Sequence, residues 1–300
     1  MDAGTKPDST AADRSRFTLP LLILGSGTMG GAILSRALAT GVLTPDAVVL
    51  VDPDHAKLAR FEQLGVPCSN TILSGLDAMD RLAPPAHAQP NAPAPSRALL
   101  LAVKPQMLTP VAEELKGRLD EPDWLVLSIL AGIPTHTLAS AIGGRIVRLM
   151  PNTPAQLGKG ITALCPGPGA TEHDLAHVRT LFASVGSILE LEEAMLDAFT
   201  AVAGSGPAYI FYLAQAMIEG ALAVGFEQSV AQRIVRETVV GAAHVLNANP
   251  DLEPASLQAM VTSKGGTTAA ATAVMDEHGF TQTMIDAIIA ARDRGHTLAL

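Results

Sequence analysis

The sequence has few cysteines and few basic residues. Only Cys68 and Cys165 occur among its 300 residues, too few for a disulfide framework and in no metal-ligand spacing. We therefore expect free thiols, a reducing cytoplasmic setting and no bound metal. Lysine and arginine number 20 against 29 acidic residues, a net charge of −9. That balance argues against nucleic acid or anionic lipid as a partner.

Long uninterrupted apolar runs are also missing. The longest candidate, residues 206–226, contains Gln215 and Glu219 and has no flanking basic cluster. We predict a buried helix there rather than a membrane span, because a carboxylate at the bilayer centre is costly. The polar residues 1–16 lack the apolar segment of a secretory signal and predict a loose tail. His173 and His177 have helical spacing but no third ligand, so we interpret them as a solvated face rather than a metal site.

Short apolar runs alternate with helix-periodic segments in the first part of the chain. The strand candidates are residues 19–24, 47–51, 98–103, 124–130 and 145–150, and the clearest helices are 28–40 and 54–65. Alternation of this kind predicts an α/β fold with a parallel sheet covered on both faces. We assign a Rossmann-like domain to residues 17–190. A proline- and alanine-rich stretch at 83–97 predicts a surface insertion within it.

From residue 191 to residue 300 the pattern is all-helical, with helices bounded by glycine, proline or asparagine. These helices are apolar on more than one face, and a layer of about 100 residues cannot bury them all alone. We predict an all-α domain that packs against a second copy of itself.

A glycine fingerprint follows the first predicted strand and opens the first helix. Its six positions are our first candidates for cofactor binding: Gly25, Ser26, Gly27, Thr28, Met29 and Gly30. The second strand ends at Asp52, where an acid would hold the ribose 2′-hydroxyl of NAD and repel a 2′-phosphate, so NADH is plausible as the cofactor. His55, Lys57 and Arg60 lie beyond it and would soften that repulsion. A plain helix-capping aspartate is the alternative.

Polar or small loops follow three further predicted strands, at the edge where ligands of open α/β sheets bind. Ordinary turn chemistry is the alternative for each loop singly, and three together favour a cleft. The additional cofactor candidates are Asn70, Ala102, Val103, Lys104, Pro105, Ala131, Gly132 and Asn152.

Several stretches resemble the pyrroline-5-carboxylate reductase family. They are LGSGTMGGAI, AVKPQ, SILAGI, RLMPNTPAQLGKG, EEAMLDAFTAVAGSGPAYIF and VTSKGGTTAAATAVMDEHGF, in the family's order, and the resemblance as a whole covers residues 19 to 297. The resemblance implies hydride transfer from NADH or NADPH to the C=N bond of 1-pyrroline-5-carboxylate, giving proline. It also implies a homodimer or higher homo-oligomer built through the helical domain.

The resemblance places the substrate at residues 263–268. Backbone N–H groups of Gly266, Thr267 and Thr268 open a helix and would hold the substrate carboxylate. The Thr268 hydroxyl would lie near the imine nitrogen, and Ser263 would add a polar contact. Glu193 matches a family acid near the substrate; a solvated acid at a helix start is the alternative.

One departure stands inside the most specific motif. The family usually has proline where this chain has Lys264, which loosens the loop and adds a cation beside the carboxylate site. A related reductase acting on another cyclic imine and a non-catalytic dinucleotide-binding protein are the alternatives. A β-hydroxyacid dehydrogenase is disfavoured, because residues 204–220 lack that family's catalytic lysine pattern.

Overall fold

The computed structural model describes residues 16–82, 95–119 and 123–298. The predicted tail, except Arg16, and residues 83–94 of the predicted insertion lie outside the described residues. The chain divides into two compact units. The α/β unit comprises the described residues up to Gly204 together with residues 294–298, and the helical unit comprises Ser205–Asp293.

Eight strands form one sheet in the α/β unit. They are β1 Leu21–Leu24, β2 Val48–Val51, β3 Cys68–Ser69, β4 Arg97–Leu101, β5 Trp124–Ser128, β6 Arg145–Pro151, β7 Gly160–Pro166 and β8 Gly186–Glu190. Their order in the sheet is β3-β2-β1-β4-β5-β6-β7-β8. All neighbouring pairs are parallel except β6 and β7, which run antiparallel. The α/β prediction is confirmed, and the sheet is mixed at one end.

Seven described helices belong to this unit by position. They are α1 Thr28–Ala39, α2 His55–Glu62, α3 Ile72–Leu82, α4 Leu108–Leu115, α5 Thr135–Ile142, α6 Glu172–Ala183 and α7 Leu196–Phe199. Strands β1, β2, β4 and β5 are buried along their whole length, because helices cover both faces. Two apolar clusters fill the two layers, one including Phe61 and Phe182 and the other including Trp124 and Met79.

All five predicted strands are present, and three strands were not foreseen. β3 is only two residues long. In β7 the apolar run is interrupted by Thr162, and β8 lies at the sheet edge, where its residues are intermediate or exposed.

The helical unit contains α8 Gly206–Ala223, α9 Gln228–Ala248, α10 Pro254–Met260 and α11 Thr267–Glu277. It also contains the larger part of α12 Phe280–Leu298, up to Asp293. Ala231 and Val235 of α9 are buried, whereas none of the described residues of α8, α10 or α11 is. Among the described residues, no helix is both long and apolar enough to cross a bilayer.

Candidate active site

Two glycines of the fingerprint are required by the local backbone. Gly25 follows β1 with φ +102°, and a Cβ there would lie 2.6 Å from the Ala102 carbonyl oxygen. A Cβ on Gly30 would lie 2.2 Å from the Gly25 carbonyl oxygen. The turn and the first turn of α1 are therefore packed directly against β4 without room for side chains.

Gly27 has the opposite environment. A Cβ added there would meet no described atom within 4 Å. Gly27 is also the N-cap of α1, and no side chain in the described part of the chain caps the helix. The first-turn N–H groups therefore face open space at the positive end of a helix dipole. This arrangement fits a pyrophosphate.

The Asp52 carboxylate is tied to the glycine turn. Its Oδ2 accepts from the Ser26 N–H at 2.8 Å and from the Ser26 hydroxyl at 2.9 Å, and its Oδ1 accepts from the Asp54 N–H at 2.9 Å. Burial raises the pKa of Asp52, but the bonds from Ser26 and Asp54 outweigh burial and leave the pKa below its usual value. Asp52 is thus a buried anion that fixes the turn.

A groove of about 500 Å³ runs along the carboxyl edge of the sheet. Seven of the predicted cofactor residues line it: Gly25, Gly27, Asp52, Asn70, Ala102, Val103 and Lys104. Pro105 begins the short 3₁₀ turn Pro105–Met107 that follows Lys104. Met29 instead packs against the apolar core.

A second cavity, of about 570 Å³, adjoins the same turn on the side of α1 and α2. Ser26, Gly27 and Thr28 line it together with Lys57 and Arg60. The Lys57 ammonium lies 3.8 Å from Asp52 and 3.5 Å from Asp54, so two carboxylates already balance its charge. The Arg60 guanidinium lies over the Phe61 ring, 4.4 Å from its centroid.

Ala131 and Gly132 lie in the loop between β5 and α5. Gly132 has φ +76°, and the loop begins where the Ile129 N–H donates to the Leu101 carbonyl at 3.1 Å. Residues 129–134 therefore leave the sheet edge beside Ala102, one of the groove residues.

Asn152 is engaged within the chain at both ends of its amide. Its Nδ2 donates to the Ala203 carbonyl at 3.0 Å, and its Oδ1 accepts from the Ile161 N–H at 3.0 Å. Ala203 belongs to a π-helical turn, Thr200–Gly204. The side chain thus joins that turn to the start of β7.

Glu193 makes three hydrogen bonds in the α/β unit. Its Oε1 accepts from the Thr135 N–H at 2.7 Å and from the Arg148 guanidinium at 2.9 Å, and its Oε2 accepts from the Thr135 hydroxyl at 2.8 Å. Burial raises the pKa of Glu193, but the bonds from Thr135 and Arg148 lower it below its usual value. Glu193 is therefore not the solvated acid of the alternative interpretation.

Thr135 and Arg148 were not among the predicted site residues. A signal for Arg148 existed, since a charged residue inside the apolar run 145–150 needs a partner when buried.

The 263–268 segment forms a tight turn into α11. Gly265 has φ +73°, and the Gly266 N–H donates to the Ser263 carbonyl at 3.0 Å. The expectation that the Gly266 N–H serves a ligand is therefore wrong, because the turn uses that donor itself. Thr267 and Thr268 begin the helix after the N-cap Gly266, and no described side chain caps them. Their N–H groups have no acceptor one turn earlier in the helix, which leaves an anion site.

Ser263 lies over that turn. A Cβ on Gly266 would fall 2.3 Å from the Ser263 hydroxyl oxygen, so glycine at this position makes room for the serine side chain. Lys264 is exposed. The turn therefore collects a hydroxyl, an ammonium group and two free backbone donors within the helical unit.

Comparisons with known proteins agree with this geometry. Residues 193–298 match the family model described as pyrroline-5-carboxylate reductase dimerisation, and residues 20–132 match that described as NADP oxidoreductase, coenzyme F420-dependent. The pyrroline-5-carboxylate reductase of Synechocystis is 34% identical over 94% of this chain and 99% of its own. That of Arabidopsis thaliana is 35% identical over 92% of this chain and 94% of its own.

Solved structures show the same similarity. A pyrroline-5-carboxylate reductase from Coxiella burnetii has a TM-score of 0.81 at 29% identity, and covers 94% of this chain and 98% of its own. The Plasmodium falciparum pyrroline carboxylate reductase, solved with NADP bound, shares the fold with a TM-score of 0.78 at 22% identity. The chain belongs to the pyrroline-5-carboxylate reductase family.

Proposed function

We propose that the protein reduces 1-pyrroline-5-carboxylate to proline with a nicotinamide dinucleotide, the last step of proline biosynthesis. The proposal is based mainly on sequence similarity that extends over nearly the whole chain: one pyrroline-5-carboxylate reductase is 34% identical over 94% of it. The glycine turn and the 263–268 turn both have backbone geometry suited to the anions that such a reaction requires.

The reaction adds a hydride to the imine carbon and a proton, taken from solvent, to its nitrogen. The bound dinucleotide supplies the hydride. Gly25, Gly30 and Asp52 hold the turn whose open N–H groups suit its pyrophosphate, and Ala102, Val103 and Lys104 line the groove beyond it. Such a transfer depends mainly on positioning and on exclusion of water, so a strong acid or base is not required.

We assign the substrate carboxylate to the N–H groups of Thr267 and Thr268. The uncapped start of α11 supports this assignment, since an anion there meets two free donors and the positive end of the helix dipole. The Thr268 hydroxyl orients the imine nitrogen, because its high intrinsic pKa favours hydrogen bonding over proton donation. Ser263 holds the turn, and Lys264 adds positive charge beside it.

NADH is the proposed cofactor in preference to NADPH. The anionic Asp52 is fixed at the end of β2, and its bond to the Ser26 hydroxyl occupies a donor that a 2′-phosphate would need. Lys57 is balanced by Asp52 and Asp54. A strong kinetic preference for NADPH would refute this assignment.

The helical unit supports self-association, which its family model also indicates. Large apolar side chains are exposed on a single chain, with Phe211 at 69%, Tyr212 at 81% and Met260 at 74% of their full areas. Such surfaces are typical of interfaces. We propose a homodimer through this unit.

A steady-state assay with 1-pyrroline-5-carboxylate and each reduced cofactor tests the proposed reaction. We expect cofactor oxidation matched mole for mole by proline. Turnover only with other cyclic imines would favour a related reductase with a different substrate. Lys264, which replaces the family's usual proline, is the residue that raises this alternative. Cofactor binding without turnover of any imine would favour a non-catalytic dinucleotide-binding protein.

A further inference from the structure

Glu193 accepts hydrogen bonds from Thr135 and Arg148, and we call these three residues the clasp. The clasp joins parts of the α/β unit that are distant in sequence. Thr135 and Arg148 are 6% and 7% exposed, and the Glu193 side chain is 31% exposed. The Thr135 and Arg148 donors are thus buried and the Glu193 carboxylate is partly buried, and hydrogen bonds to a charged group strengthen as water is excluded. The clasp fixes Thr135, the first residue of α5, to the segment that begins at Glu193.

Both atoms that Thr135 offers bind the same carboxylate. Its N–H is one of the donors that a helix start leaves without an internal partner, and its hydroxyl reaches the second carboxylate oxygen. A residue far along the chain therefore caps α5 with a full negative charge, the sign that a helix start favours.

The loop held by this cap is the one that carries Ala131 and Gly132. Its first residue, Ile129, is bonded to Leu101 at the sheet edge, and its last residue, Pro134, precedes the capped Thr135. The loop is therefore anchored at one end by the sheet and at the other by Glu193. In the proposed site it faces the cofactor beside Ala102.

We infer that Glu193 is a positioning residue, which acts through Thr135 to hold the Ala131–Gly132 loop in the shape that the cofactor requires. The inference rests on the proposed reductase function. It differs from the expectation that the Glu193 carboxylate contacts the substrate directly, since that carboxylate already accepts three hydrogen bonds.

A series of variants distinguishes positioning of the loop from direct contact with the substrate. Each variant is measured by cofactor binding and by steady-state kinetics. Glu193→Gln replaces one acceptor oxygen by a donor. Thr135→Val keeps the shape of the side chain and removes the hydroxyl, whereas Thr135→Ser keeps the hydroxyl and removes the methyl group. Glu192→Gln is the matched control, because Glu192 is exposed and adjacent in sequence.

If Glu193 positions the loop, Glu193→Gln and Thr135→Val each raise the dissociation constant for reduced cofactor about tenfold, as expected for a lost bond to a charged group. The Michaelis constant for the imine stays within about twofold, and the double variant is no worse than the stronger single variant, since both remove one interaction. Thr135→Ser restores affinity, and Glu192→Gln matches wild type.

A raised Michaelis constant for the imine in Glu193→Gln alone, with Thr135→Val unchanged, would overturn the inference in favour of substrate contact. Equal losses in Thr135→Ser and Thr135→Val would overturn it in favour of simple packing. Cofactor titration by fluorescence needs no turnover, so it tests the clasp even if wild type fails to reduce the imine. Thermal unfolding of each variant confirms that the folded protein is being compared.

Discussion

Asp52→Asn removes the negative charge that we propose disfavours the 2′-phosphate of NADPH. The same substitution disturbs the glycine turn. Asp52 Oδ2 faces the Ser26 N–H and Oδ1 faces the Asp54 N–H, at 2.8 and 2.9 Å. An asparagine in either orientation therefore points its NH₂ group at a backbone donor. Hydrogen bonds to charged groups are worth about 1.5–3 kcal/mol each, so losing one such bond and leaving its backbone N–H opposed by the new NH₂ group should cost about 3 kcal/mol.

That cost has two readouts. For a unit of this size it predicts a fall in melting temperature of roughly 6–12 °C. It also predicts a shift of the ratio of kcat/KM values toward NADPH by about tenfold, or 1.4 kcal/mol, because the repulsive charge is removed. Asp54→Asn is the control for the melting temperature only, because Asp54 also balances Lys57: this exposed N-cap accepts from the Ala56 N–H, and asparagine caps helices equally well.

The pH dependence of the Asp52 contribution follows from the direction of its pKa shift. Because the folded pKa lies below the usual value, the stability it adds is fully present above the unfolded pKa and is lost as pH falls through the folded pKa. Cofactor preference should thus be constant between about pH 7.5 and 9, where Asp52 stays ionised and the 2′-phosphate of NADPH, with a second pKa of about 6, is fully charged. A wild-type melting temperature and cofactor ratio in Asp52→Asn, or a preference that titrates in that range, would refute the role of Asp52.

Three further predictions concern the turn, the substrate and the interface. Gly30→Ala should abolish cofactor binding in a titration, since its Cβ would lie 2.2 Å from the Gly25 oxygen; stable binding would contradict the packing argument. Thr268→Ala should lower kcat/KM by roughly ten- to a hundredfold, as expected for one lost polar contact, and unchanged kinetics would remove it from the mechanism. Phe211→Asp should weaken the dimer in light scattering, and an unchanged mass would place the interface elsewhere.

Much of the fold and part of the site could be predicted from the spacing of residues close together in the sequence. The fingerprint glycines were predictable because their roles depend on neighbours within one βα unit, and Gly25 and Gly30 meet the expected backbone atoms. The buried strands were predictable from apolar runs. Strand β7 was not predicted at all, and its antiparallel direction would have stayed hidden in any case, because side-chain alternation is the same for parallel and antiparallel strands.

Contacts between distant segments escaped prediction. Glu193 and Arg148 are 45 residues apart, and only the fold brings them together with Thr135. The hydrogen bond from the Gly266 N–H to the Ser263 carbonyl was also not predicted. Composition identifies a glycine turn but does not show which N–H group forms the hydrogen bond within it. The N–H groups available to a ligand accordingly begin one residue later than expected.

A crystal structure with proline and oxidised cofactor bound would show where both ligands lie. We expect the proline carboxylate to accept hydrogen bonds from the N–H groups of Thr267 and Thr268 at the start of α11, with the pyrophosphate on the turn at Gly27. Proline bound with its carboxylate on any other group, or a pyrophosphate away from Gly27, would contradict this expectation.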